Sequence, residues 1–258
     1  MIRWALTYIP RPWLIRLSML VRILGPILYA GNRFTDPIDG RSYRKFLPYG
    51  YGGRIRDNAL SPGTNSLERH RLLYLYLQRF TDFFRAPKTV LHIAPEQCFH
   101  YRFKKQVNLQ VLTADIESPL ADMHFDLHQV PLEDNRFDVI FCNHVLEHVT
   151  DDAQCLRELY RVMKPGGWGI FQVPWVPGIK TTDEDPSITD PAERERRFLQ
   201  YDHVRLYGED YPDRLAAAGF RVERIALFET LPIEEIKRFC LPNDEPLFVC
   251  HKPTEAHA

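Results

Sequence analysis

Short, nearly continuous apolar runs alternate with segments of helical period through the second half of the chain. Thr89-Val-Leu-His-Ile93, Leu109-Gln-Val-Leu-Thr-Ala114 and Phe137-Asp-Val-Ile-Phe-Cys142 have the length and β-branched or aromatic content of strands buried on both faces. Met123-His-Phe-Asp126 is a weaker strand between the last two, Trp168 to Val173 follows, and Phe220 to Phe228 and Pro246 to His251 close the series. Asp151 is placed to cap a helix that carries Ala153, Leu156, Leu159, Tyr160 and Met163 on one face and stops at Lys164-Pro-Gly-Gly167. Glu193 to Gln200 and Tyr211 to Ala218 read as helices, the second closed by Gly219 as a left-handed cap. Pro174 to Asp190 reads as a loop. The alternation predicts an open α/β sheet, parallel with crossover helices, whose ligand edge gathers the polar residues that end its strands.

The first part of the chain is different in kind. Met1 to Asn32 carries Arg3, Arg11, Arg16 and Arg22 and no acid, set among Trp4, Trp13, Leu14, Leu17, Leu20, Leu24 and Leu28. Arg16, Arg22 and Gly25-Pro26 break its apolar stretch, so it lacks the roughly 20 apolar residues of a spanning helix. A basic amphipathic helix 1–32 is expected, lying on an anionic membrane face or packed on protein. Residues 33–66 are dense in Gly, Pro, Tyr and Arg and predict turns and short strands. Asn65 with Glu68 forms a capping pattern for a helix running to about Arg85, in which Arg69-His70-Arg71 reads as a solvated face. Residues 67–258 make the main domain.

Composition adds limits. Lys+Arg 33 against Asp+Glu 34 gives no global pull toward nucleic acid. The five cysteines are scattered and never in a Cys-x-x-Cys pair, which suits a reducing, cytoplasmic setting rather than a disulfide framework. His144 and His148, four apart, would share a helix face, as would His124 and His128, but no third ligand stands at fitting spacing, so no metal is expected.

Three stretches carry a resemblance. Val130-Pro-Leu-Glu-Asp-Asn-Arg-Phe-Asp-Val-Ile140, Asn143-His-Val-Leu-Glu-His148 and Leu156-Arg-Glu-Leu-Tyr-Arg-Val-Met-Lys-Pro-Gly-Gly167 occur in the order and at the spacings of class I S-adenosylmethionine-dependent methyltransferases. The chain resembles that family over roughly Val90 to Lys252. The resemblance implies a seven-stranded Rossmann-like, doubly wound sheet and S-adenosyl-L-methionine as cofactor; the acceptor expected is an unidentified small molecule or lipid-linked envelope precursor, presented at the membrane by residues 1–32. It also implies site positions. Asp115, with Ile116 beside it, falls where the family holds the ribose, and Asp126 with Leu127 where it contacts adenine. Asn143 and His144 fall where cofactor and acceptor meet. His144 is the first candidate base, and His203, in a segment able to fold over the site, the second.

The chain departs from the family in two places. Its first strand ends His92-Ile-Ala-Pro-Glu96, without the glycine that normally allows close backbone approach to the cofactor, so that His92, Ala94 and Glu96 would take over. It resembles a divergent subgroup with this turn, in which a cysteine-rich zinc ribbon often precedes the helix. Here residues 33–66 keep that frame without its cysteines, and Gly, Pro and aromatic packing are expected to hold it. The competing reading is a non-catalytic scaffold that keeps the fold and has lost the cofactor.

Overall fold

The computed structural model describes residues 22–50 and 55–254. Most of the expected 1–32 helix lies outside them. The chain forms two compact units. The first takes in the residues up to Phe84, Glu96–Arg102 and Leu227–Glu245, and the second Arg85–Pro95, Phe103–Ala226 and the chain from Pro246.

In the first unit a helical stretch 22–28 leads into β1 (Ala30–Thr35), paired antiparallel with β2 (Ser42–Tyr43). β3 (Leu47–Tyr49) pairs with β4 (Arg56–Leu60) in the same sense. Buried polar groups hold these hairpins, beyond the Gly, Pro and aromatic packing expected from sequence. The Asp36 carboxylate accepts from the Ile38 N–H (2.9 Å), Thr64 hydroxyl (2.5 Å) and Ser66 hydroxyl (3.1 Å).

Helix α1 (Glu68–Phe80) has Leu67 as its N-cap, because Asn65 turns into the left-handed region (φ 58°) and donates its N–H to Ser61 O. The reciprocal half of the cap comes from His70, whose Nδ1 accepts the Leu67 N–H at 3.0 Å. Thr81, in extended backbone, ends the helix before Arg85. Arg71 is fully buried, not solvated. Its guanidinium donates to the carbonyls of Ala59 (3.0 Å), Ser66 (2.9 Å), Phe239 (2.7 Å) and Cys240 (2.7 Å) and lies over the Phe46 ring. One cation thereby satisfies carbonyls from separate segments of the unit. Helix α2 (Gln97–Lys104) and two short helices, Leu227–Thr230 and Ile233–Phe239, complete the helices that begin in this unit.

The second unit is built on one sheet. β5 (Lys88–Ile93), β6 (Leu109–Asp115), β7 (Met123–His124), β8 (Phe137–Cys142) and β9 (Met163–Ile170) run parallel. A small antiparallel pair, β10 (Asp183–Glu184) and β11 (Arg205–Leu206), lies apart from it. β12 (Arg221–Ile225) and β13 (Leu247–His251) finish the seven-stranded order β12-β13-β9-β8-β5-β6-β7, with β13 antiparallel to both neighbours. The apolar runs are central strands because both faces are covered. Leu91, Ile93, Ile140 and Cys142 share a core with Cys155, Leu156, Leu159 and Val162 of α3 (Asp152–Val162).

Asp151 caps α3 as expected, accepting the Gln154 N–H at 2.9 Å, but Cys155 and not Ala153 faces the core. The Lys164-Pro-Gly-Gly167 stretch falls within the span of β9 as a bulge, with Gly166 at φ 77°, and regular pairing with β8 resumes at Trp168 as expected. Gly169 has no room for a Cβ, which would stand 2.8 Å from Ile140 O. α4 (Pro191–Phe198) and α5 (Tyr211–Ala217) match the expected helices, and Gly219 has φ 105°. The strand expected to reach Phe228 ends at Ile225 and gives way to helix.

Candidate active site

β5 lies between β6 and β8, so their carboxyl ends form one continuous edge. The chain leaves β5 through Ala94 at φ 47° and β8 through His144 at φ 55°. Both N–H groups remain tied to the sheet region, Ala94 to Ala114 O (2.8 Å) and His144 to Gln172 O (2.7 Å). Left-handed backbone costs a residue with a Cβ about 1–2 kcal/mol, and such strain gathers at ligand sites. Ala94 therefore reproduces the backbone course that glycine would adopt without effort, and adds only a methyl group.

At the end of β6, Asp115 Oδ1 accepts the N–H groups of Glu117 and Ser118, both at 2.8 Å. That shapes the following turn and leaves Oδ2 uncommitted. Ile116 is 67% exposed, an apolar side chain held out beside the carboxylate. A free carboxylate oxygen, an apolar surface next to it and a close-approach turn one strand away suit a ribose diol joined to a flat base, so these residues fit the expected cofactor.

Other expected contacts are differently employed. The His92 ring is buried within β5 against Phe103 and Phe141, because its position faces the sheet interior. Leu127 belongs to the core, so its side chain is not a base contact. Asp126 Oδ1 accepts the His128 N–H (2.9 Å) and lies 2.6 Å from its Nδ1, forming a turn of its own. Glu96 falls in the first unit, where its carbonyl receives the Phe99 and His100 N–H groups of α2. Asn143 is buried and accepts the Gln172 N–H at 3.3 Å, fixing the β8 exit against the chain after β9. Gln172 in turn bonds Pro246 O and Phe248 N.

Residues 144–149 form turns rather than a helix, so His144 and His148 do not share a helical face. The turn instead wraps around Glu147, which is 1% exposed. Its Oε1 stands 3.3 Å from His144 Nδ1, while Oε2 and His144 Nε2 are buried without hydrogen-bond partners. Burial opposes ionisation of Glu147, but the hydrogen bond from His144 and the nearby His148 hold its pKa below the ordinary carboxylate value. His148 and His203 meet edge to face with ring centroids 4.8 Å apart. Burial lowers the His203 pKa, favouring its neutral form.

Arg205 fixes this turn. Buried at 4% exposure, it donates to the carbonyls of Leu146 (2.7 Å), Val149 (2.5 Å) and Thr150 (3.0 Å) and pairs with Glu184 at 2.9 Å. Val204 N–H adds a bond to Glu147 O. Arg214 bridges Glu184 to Asp152, whose Oδ2 lies 2.8 Å from the Tyr207 hydroxyl. Sequence reasoning singled out His203 but missed Glu147 and Arg205, since an acid or a cation acquires such a role only through partners remote in sequence.

Residues 75–171 match the family model described as "Methyltransferase domain". A probable S-adenosylmethionine-dependent methyltransferase of Mycolicibacterium smegmatis is 30% identical over 106 residues, 41% of this chain and 37% of that protein. A demethylmenaquinone methyltransferase of Listeria monocytogenes is 44% identical over 58 residues, 22% of this chain and 24% of its own. The matches thus span less than half the length of these curated relatives. Among solved structures, the [4+2]-cyclase SpnF superposes with a TM-score of 0.52 at 15% identity, covering 93% of this chain and 96% of that one, a likeness of fold.

Proposed function

We propose that the protein is a class I, S-adenosylmethionine-dependent methyltransferase that transfers a methyl group from S-adenosyl-L-methionine to a small-molecule or lipid-linked envelope-precursor acceptor, a reading supported by the match of residues 75–171 to a methyltransferase-domain model. The observation that carries the reading is the edge formed by Ala94, Asp115 and His144, where two adjacent strands end in left-handed, non-glycine residues beside a half-free carboxylate. When bound, the cofactor supplies an already activated methyl group, so orientation is the main demand on the protein. Asp115 Oδ2 accepts from the ribose hydroxyls, Ile116 covers one face of the base, and the Ala94 turn admits the amino-acid end. Asn143 holds the β8 exit in place, and His144, its side chain 24% exposed, stands at that exit as the candidate base for a hydroxyl or amine of the acceptor.

Calorimetry with S-adenosylhomocysteine tests the reading. Binding to the full chain is expected, and Asp115→Ala should weaken it at least tenfold, the loss of charge-assisted hydrogen bonds of about 1.5–3 kcal/mol each. No heat and no thermal shift at millimolar ligand would refute it. A second reading is a non-catalytic binding protein of the same fold, since one fold serves many activities. Binding without label transfer from a methyl-labelled cofactor to envelope extracts would select that reading.

Presentation at a membrane surface is part of the proposal. Among the described residues no helix is long and apolar enough to cross a membrane. The 22–28 helical stretch nevertheless exposes Ile23, Leu24, Ile27 and Leu28, with Ile27 at 74%. Such a contiguous apolar surface beside Arg22 suits insertion at an anionic headgroup boundary.

A further inference from the structure

Glu147 poses a problem that methyl transfer does not use: a nearly inaccessible carboxylate with one oxygen lacking any hydrogen-bond partner. Buried polar atoms are rarely left unsatisfied, and a carboxylate oxygen is among the costliest to leave so. Its neighbours supply an answer. Glu147, His148 and His203 each offer a ligand atom, and these atoms lie within 4.8 Å of one another.

We propose that Glu147, His148 and His203 form a binding site for a divalent transition-metal ion of the zinc type, with three protein ligands and an open position. The arrangement around each ligand is that of a metal site. His203 Nδ1 donates to Phe198 O at 2.9 Å, which leaves Nε2 as the unprotonated nitrogen. His148 Nδ1 faces Asp202, 3.4 Å from its carbonyl and 3.5 Å from its carboxylate, which directs Nε2 the other way. His144 occupies Glu147 Oε1 and leaves Oε2 for the ion. Each ligand thus has an outer partner that sets its orientation, as metal-binding histidines and carboxylates usually do.

Two imidazoles and one carboxylate favour zinc and its neighbours over magnesium or calcium, which prefer oxygen donors. Tetrahedral bonds of about 2.0–2.1 Å bring ligand atoms to about 3.3 Å from one another, so binding draws the cluster inward. His148, with a side chain 33% exposed, is the most solvent-accessible of the three, and Arg205 and the Val204 bond fix the turn that carries Glu147.

The test uses the full chain, stripped with EDTA and dialysed. Zinc chloride titrated into it should give one bound ion per chain, and cobalt(II) should produce visible d–d absorption of a low-coordinate site. His148→Asn and His203→Asn should each weaken zinc binding at least tenfold. His148→Asn serves if the buried variant does not fold, and its stripped form should melt with the stripped parent. No stoichiometric zinc in a natively folded parent would overturn the proposal, as would equal affinity in the His148→Asn protein. Neither readout requires methyl transfer, so this site and the proposed activity fail separately.

Discussion

Ala94→Gly isolates the strain at the strand-five exit from the chemistry around it. Ala94 adopts φ 47° while donating to Ala114 O, a conformation that costs an alanine about 1–2 kcal/mol and a glycine nothing. Against that gain stands the greater freedom of glycine in the unfolded chain, about 0.4–1 kcal/mol. The difference predicts a protein more stable by about 0–1.6 kcal/mol, a rise in melting temperature of up to roughly 6 °C for a chain of this size. Ala94→Val reverses the sign, because a β-branched residue in left-handed backbone is an outlier costing about 1–3 kcal/mol. Melting curves of the three proteins, with and without S-adenosylhomocysteine, read both effects. Glycine should bind the ligand at least as well as alanine, and valine at least tenfold more weakly. A destabilised glycine variant, or a valine variant equal to the parent in stability and binding, would refute the role assigned to this turn.

Further consequences are open to measurement. Arg71→Met removes the donor to four buried carbonyls and should lower stability by about 3–5 kcal/mol; Arg71→Lys should not restore it, since an ammonium cannot match the guanidinium fork. Equal melting temperatures for Arg71→Met and the parent would count against this. Asp138 loses some solvation, but bonds from Thr89 and Lys164 outweigh that and lower its pKa. Its stabilisation is therefore present above the unfolded value of about 3.9 and lost as pH falls through the folded value. The stability gap between the parent and Asp138→Asn should accordingly shrink on acidification from pH 7, and a gap that widened would contradict the assignment. Ile27→Asp should reduce sedimentation with anionic vesicles while leaving cofactor binding unchanged; undiminished sedimentation would remove the surface role of the 22–28 helix.

The sheet could be read from the sequence because its central strands are buried on both faces and so are written as nearly continuous apolar runs, Val90 to Ile93, interrupted by His92 alone, and Val139 to Cys142. The ends of elements were less legible. Lys164-Pro-Gly-Gly167 has the composition of a turn and forms a bulge inside the span of β9, where pairing with β8 steps from Met163 to Trp168. Arg71 resembles any surface arginine until carbonyls from Ala59 to Cys240 surround it. In the site, Asp115 was visible because its position follows a strand end, whereas Glu147 was not. The spacing of His144 and His148 suggested a helical pair, but the left-handed residue after β8 rules out that helix and turns His148 toward His203.

The three carbonyls held by Arg205 also bear on motion. Three carbonyls of the turn 146–150 are anchored by one side chain from the distant strand β11. Neither segment opens while the other stays closed. Amide hydrogens of the two should therefore exchange with solvent as a single cooperative unit, with one opening free energy between them. Anything that grips the turn, whether acceptor or ion, will then slow exchange in β11 as well.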